Sequence, residues 1–375
     1  MLCELGELGG SSDDSADDFK RGGVVMGHRT LVSGSALAVT IGFTVVTSVS
    51  LAGQSQPAAT QPPTTAPAPR RPPAPAGTWT PARTPWGHPD LRGIWDFQSV
   101  TPLERPAEFA GKEVLPDAEA AQLQRQALER LNADRRDGGA DADLARAYNE
   151  VWYARKPVSN ARTSLVIDPA DGRVPPLTAL GQQLLARQNP NRRGDRGTVA
   201  WTDELDSYTR CISRVMPRLP QNYNSGTQIF QAPDYVVLQY EQFDRRVIPL
   251  DGRPHLDKKV RQWNGDSRGH WEGNTLVVDT TNFSNQQEFR GLPQGNLHLV
   301  ERFTPIDART INYEATIDDP TMWTRRWTFP MPWQKDDSYQ MFEYACHEGN
   351  YGIEGILSGG RVEEQAAEPS NNVPK

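Results

Sequence analysis

Asp266, Arg268, His270 and Glu272 put two carboxylates, a guanidinium and an imidazole at alternate positions of one short segment. If that segment is extended, all four side chains leave one face. An imidazole beside carboxylates is a ready acid or base near neutral pH. Asp279 and Thr281, across a predicted hairpin, join the same face, whereas Leu276 and Val278 point the other way. Facing a barrel interior, the carboxylates need Arg268 or a ligand as counter-charge, because a lone buried charge is very costly. Facing water, the same residues make surface ion pairs worth little, and that is the plainer reading.

A second polar cluster, Glu343, His347 and Glu348, surrounds Cys346 just before the Gly-rich stretch Gly349 to Gly360, which reads as a loop. Cys211 and Cys346 are the only cysteines beyond the N-terminal leader, and an even pair in an oxidising compartment reads as a disulfide; the alternative is two buried thiols. A bridge would rigidify the loop, making His347 and Glu348 further candidates for ligand or acid–base contacts, although a structural staple beside a polar turn is the plainer account.

Other chemistries find less support. Gly265-Asp266-Ser267-Arg268-Gly269 matches G-x-S-x-G, but a hairpin follows where the nucleophile elbow needs a helix. His255, His270, His298 and His347 show no metal-ligand spacing, so no metal is expected. Nucleotide-binding glycine motifs are absent from suitable contexts, and no cofactor is implied. No residue is singled out as catalytic. Arginine is scattered among acids in a chain of net charge −7, with no basic stripe, which discounts nucleic acid and anionic lipid as partners.

The elements that must position these residues are strands. From Gln228 onward, short segments rich in Val, Ile, Tyr, Trp and Thr alternate with turn residues, as antiparallel β-structure does. The predicted strands are Tyr235 to Glu241, Arg245 to Leu250, Arg268 to Trp271, Thr275 to Phe283, Leu297 to Thr304, Thr310 to Ile317, Trp323 to Phe329 and Ser338 to Tyr344, with Leu91 to Phe97 and Thr163 to Asp168 completing the sheet. Ile311, Tyr313, Ala315 and Ile317 alternate with polar residues, so one face meets a core. About ten strands in meander order need their edges protected, and a closed or nearly closed barrel supplies that. The fold class is therefore mainly β, a lipocalin-like antiparallel meander with a small helical insertion at about 116–153. The insertion carries helices from Pro116 and from Asp141, and a further short helix spans Thr178 to Gln188.

Around this domain, set at 86–361, lie segments of other character. Leu31 to Gly53 is apolar without charge, long enough for a leader or an N-terminal anchor, and small residues at Ser50 and Ala52 favour cleavage. The acidic lead before it suggests initiation at Met26, with 1–25 a mis-assigned extension and 26–53 the signal peptide. Residues 54–85 read as a Pro-rich disordered linker and 362–375 as a disordered tail. The chain is thus expected outside the cytosol, periplasmic or extracellular, touching membrane only if the leader stays attached.

Three runs resemble those of a group of uncharacterised exported bacterial β-rich proteins: Ile248 to His255, Gly265 to Thr280 with its Asp266-Ser267-Arg268-Gly269-His270-Trp271-Glu272-Gly273 core, and Tyr344-Ala345-Cys346-His347-Glu348-Gly349-Asn350-Tyr351. The resemblance implies export and a β-rich fold and brings no activity. Gly93-Ile94-Trp95 is similar to the opening of lipocalin-like barrels. The preferred expectation is an exported barrel binding a small molecule. The alternatives are a periplasmic hydrolase or isomerase pairing His270 with Asp266 or Glu348, and an envelope scaffold without a pocket.

Overall fold

Alternating strands bury one face each, and nine of them do so against one another in a single antiparallel sheet. The computed structural model describes residues 79–367 except 136, 141–148, 151–152, 154–160, 190–196 and 221–222. The strands are β1 (Gly93–Asp96), β2 (Gly226–Ala232), β3 (Tyr235–Tyr240), β4 (Arg245–Pro249), β5 (Asp266–Glu272) and β6 (Thr275–Thr281). A short hairpin, β7 (Glu288–Phe289) with β8 (Leu292–Pro293), precedes β9 (His298–Asp307), β10 (Thr310–Asp318) and β11 (Trp327–Lys335). Helices α1 (Asp117–Leu131), α2 (Ala179–Ala186) and α3 (Tyr351–Ala367), with short 3-10 turns at Ala107–Phe109 and Thr202–Glu204, complete the described elements.

The sheet order is β4-β3-β2-β1-β11-β10-β9-β6-β5, a meander nearly closed into a barrel. Nine strands of alternating direction leave the two ends of the sheet, β4 and β5, running parallel where they approach each other. There Arg246 reaches Ser267 at 3.1 Å, and one pleat further Gly269 faces Ile248 and Leu250. A Cβ at Gly269 would lie 2.7 Å from a Leu250 methyl and 2.8 Å from an Ile248 methyl, so a side chain there would push these two residues aside where the edges approach. Parallel neighbours need a long crossover. The chain from Leu250 to Gly265 provides it.

Inward residues fill the barrel. Ile311, Tyr313, Ala315 and Ile317 are buried as their alternation predicts, and Trp327, Trp333, Phe303, Phe329 and Phe97 pack with them. Tyr313 and Trp333 stack with centroids 5.1 Å apart. Amid these rings Arg246 makes a two-pronged bond to Glu301, at 3.0 and 2.5 Å, and Tyr313 donates to Glu301 at 2.9 Å.

Several elements differ from the sequence reading for identifiable reasons. β2, not anticipated as a strand, lies between β1 and β3. β11 starts at Trp327 instead of Trp323 and runs through Pro330 and Pro332. Both prolines share the parity of Thr328, whose N–H leaves β11 for Asp168 O, and they oppose Glu314 and Asn312 without donating to β10. Proline is tolerated there because short β1 pairs only with Gln334 and Lys335. Thr163 to Asp168 forms bridges only, at Arg162 and Asp168. Ser338 to Tyr344 is not a strand, and the stretch read as a Gly-rich loop is helix α3, in which Ile353, Ile356, Leu357 and Gly360 recur at helical spacing behind the glycines. Helix α3 runs to Ala367, past the predicted domain end, and buried Thr84 with the Arg83–Pro89 bridge moves the start back into the predicted linker. The helical insertion is closed at its base by a Val114–Arg162 bridge and contains α1. Its predicted second helix, the leader, most of the linker and the last residues lie outside the described residues.

The disulfide joins Cys211 and Cys346, with Cα atoms 5.7 Å apart. Beside it Phe243 sits between the rings of Tyr208 and Tyr344, and Asn350 donates to Thr209 O at 3.0 Å. Among the described residues no helix is long and apolar enough to cross a membrane.

Candidate functional site

The alternation Asp266, Arg268, His270, Glu272 does share one face of β5, and that face is the outer one. Register sets Arg268 opposite Asp279 and Asp266 opposite Thr281 on β6, as the hairpin implied. Inward go Ser267 and Gly269; Ser267 is buried against Arg246 and Thr280 and offers no exposed nucleophile.

The parallel junction sends the crossover back along the outside of β5 and β6, and this delivers His255 onto the outward carboxylates. Its Nδ1 lies 3.0 Å from Asp266 Oδ2 and its Nε2 2.9 Å from Asp279 Oδ1. Asp279 Oδ2 meets His298 Nε2 at 2.7 Å. Arg268 donates to Asp266 Oδ1 at 2.6 Å and to Pro254 O at 3.0 Å, and the Leu256 N–H donates to Asp266 Oδ2 at 2.9 Å. A hydrogen-bonded line of alternating basic and acidic side chains results, from Arg268 through Asp266, His255 and Asp279 to His298. Asp266 is buried beneath the crossover, whereas His298 stays half exposed. Its hydrogen bond to Asp279 holds His298 above its ordinary value, despite partial burial. Burial pushes Asp279 up, but His298 and His255 outweigh it and leave the carboxyl below its ordinary range.

The sign of the linkage follows. His298, raised in the fold, contributes stability that is complete below its unfolded value of about 6.5 and is lost as pH rises through the higher folded value. Asp279, lowered, contributes above its unfolded value of about 3.8 and loses that contribution as pH falls through the folded value. His298→Gln should therefore lower the melting temperature by roughly 1–3 °C near pH 5.5, with the difference shrinking by pH 9. Paired thermal melts at the two pH values measure it.

The remaining predicted residues are not drawn into this line by any hydrogen bond or ion pair among the described residues. His270 is exposed and pairs with Glu272 at 3.1 Å; Glu272 also accepts from Arg302 at 2.6 Å, which holds its carboxyl below the ordinary range. His347 and Glu348 lie exposed in the turn after the disulfide. The sequence reading missed the roles of His255 and His298, because which loop crosses β5 and β6 depends on where the parallel junction falls. Among the described residues, no three or more His, Cys, Asp and Glu are grouped to hold a metal ion.

A separate cleft, of about 220 Å³, opens between the β7–β8 hairpin, α2, residues 174–177 and the β10–β11 connection. Pro175, Pro176, Leu177, Leu185, Leu292 and Trp323 line it, with half-exposed Glu104 and Arg290 at the margin. Trp323 is braced from behind by Phe289 and Trp327, at 6.2 and 6.1 Å between centroids. A β-bridge from Leu177 to Trp323, and Thr178 donating to Thr321 O at 2.6 Å, hold the 174–178 segment against it.

Fold and site together define a nearly closed antiparallel β-barrel with a disulfide, a charged outer face and an apolar cleft. No family model matches the chain, and neither the curated proteins nor the solved structures include a match to it.

Proposed function

We propose that the protein is an exported, small-molecule-binding barrel of the cell envelope and that its ligand occupies the cleft beside Trp323. The cleft carries this reading: a concave apolar surface backed by an aromatic ring, with few polar groups at its margin, is the usual makeup of a small-ligand site. Its volume lies below that of drug-sized pockets, which suits a compact ligand of one or two rings or a short chain. The barrel interior is occupied by Trp327, Trp333, Tyr313 and Phe303, so the ligand belongs on the outside. The Cys211–Cys346 disulfide and the apolar leader support export.

Native mass spectrometry of processed protein taken from the envelope tests this. A small-molecule adduct is expected, and Leu185→Glu, a change at an exposed position of the cleft wall, should remove it. A bare wild-type mass, or an adduct that survives Leu185→Glu, would reject the cleft.

One observation favours a second reading, a periplasmic hydrolase or isomerase. His298 is oriented by Asp279 through Nε2, while its Nδ1 makes no hydrogen bond among the described residues, as a general base requires. In that reading the working imidazole is His298, and turnover would be lost in His298→Gln but kept in Leu185→Glu.

A further inference from the structure

The cleft's margin carries a chemical preference, and we infer from it that the ligand is a compact apolar monoanion, its carboxylate or equivalent group received by Arg290. The inference rests on the cleft being a binding site and names what it binds. Arg290 and Gly291 are the two turn residues between β7 and β8, with φ of +53° and +83°. A two-residue hairpin with both residues left-handed is ordinarily built from Asn-Gly or Gly-Gly, so a long cation at the first position is held against local preference. Gln188, just beyond α2, secures the turn by donating to Gly291 O and to Glu288 Oε2. The result fixes a guanidinium at the edge of an apolar hollow.

Arg290 donates to Glu104 at 3.2 Å, and Arg173 approaches the other oxygen of the same carboxylate at 3.9 Å, so two cations share one acid. Arg105, the next residue, is buried and donates to the Thr163 hydroxyl and to Ala170 O at 3.0 and 3.2 Å, with no carboxylate in ion-pair range among the described residues. Glu288, on the hairpin itself, accepts from Gln188, and Asp171 accepts from the Arg173 N–H at 3.0 Å; neither lines the cleft. A site walled by Leu177, Leu185, Leu292 and Trp323, with two arginines sharing one carboxylate at its margin, favours a ligand with an apolar body and one negative group. Arg290 supplies the planar donors that a carboxylate accepts best.

Isothermal titration of the full processed chain with 2-naphthoate and its neutral counterpart 2-naphthamide tests this. Arg290→Asn removes the cation while installing a residue that favours the left-handed turn, so folding is not at risk. The wild type is expected to bind 2-naphthoate at least tenfold more tightly than the amide, and Arg290→Asn to abolish that preference while leaving amide binding within about twofold. Equal binding of acid and amide by the wild type would overturn the anion inference and leave the cleft as a site for neutral ligands. A preference for the acid that survives Arg290→Asn would overturn the assignment to Arg290. Binding of neither compound would overturn the cleft reading and this inference with it.

Discussion

Arg246→Met is expected to lower the stability of the protein by about 3–5 kcal/mol, enough to move a chemical-denaturation midpoint by a large fraction of its value. Arg246 and Glu301 face each other in the core with side chains almost wholly out of water. Burial alone would lower Arg246, but Glu301 outweighs it and the guanidinium stays charged. Removing the cation leaves the Glu301 carboxyl buried without its counter-charge among Trp333, Tyr313 and Phe303, with two lost bonds and, among the described residues, only the Tyr313 hydroxyl still donating. The pair also ties β4 to β9 across the barrel, and through Ser267 and Thr280 it reaches β5 and β6. Because the penalty arises from the stranded carboxyl, the double variant Arg246→Met, Glu301→Gln should recover much of the loss. A single variant costing less than 1 kcal/mol would mean that the interior is wetter than its packing indicates.

Cutting the disulfide by Cys346→Ser should cost about 4–5 kcal/mol, since the bridge closes a loop of 135 residues and the chain-entropy model scales with the logarithm of that length. The loop contains β2 through β11, every strand of the barrel sheet except β1, so the constraint falls on nearly the whole barrel and not on one hairpin. Urea unfolding of wild type and variant, both with and without reductant, measures the effect. Reductant should bring the wild type down to the variant and leave the variant unmoved. A wild-type transition indifferent to reductant would mean the bridge contributes nothing.

How far the sequence discloses this molecule can be followed residue by residue. The outward face of β5 and the inward face of β10 were legible because period-two alternation is a local property: Asp266 and Arg268 share a side whatever the sheet does next. Cys211 and Cys346 were legible by elimination. The predicted strand ends at Phe329, whereas β11 continues through Pro330; proline argues against an internal strand, and only the brevity of β1 makes its neighbour an edge at that point. Helix α3 was hidden by its glycines, although its apolar spacing was present. The site was half visible. Asp266, Arg268 and Asp279 follow from one hairpin, whereas His255 joins them only because the chain leaving β4 crosses the outside of that hairpin before entering β5. The cleft was beyond reach, since Leu177, Leu185, Leu292 and Trp323 come from four separate segments with no shared rhythm.

The most direct test of ligand binding in the cleft is an amide-shift map of isotope-labelled protein titrated with 2-naphthoate. Perturbations should concentrate on Leu177, Arg290, Gly291 and Leu292 and on the Trp323 indole N–H, growing along a saturable curve. Shifts confined to His255, Asp279 and His298 on the outer face, or a spectrum that never moves, would contradict it.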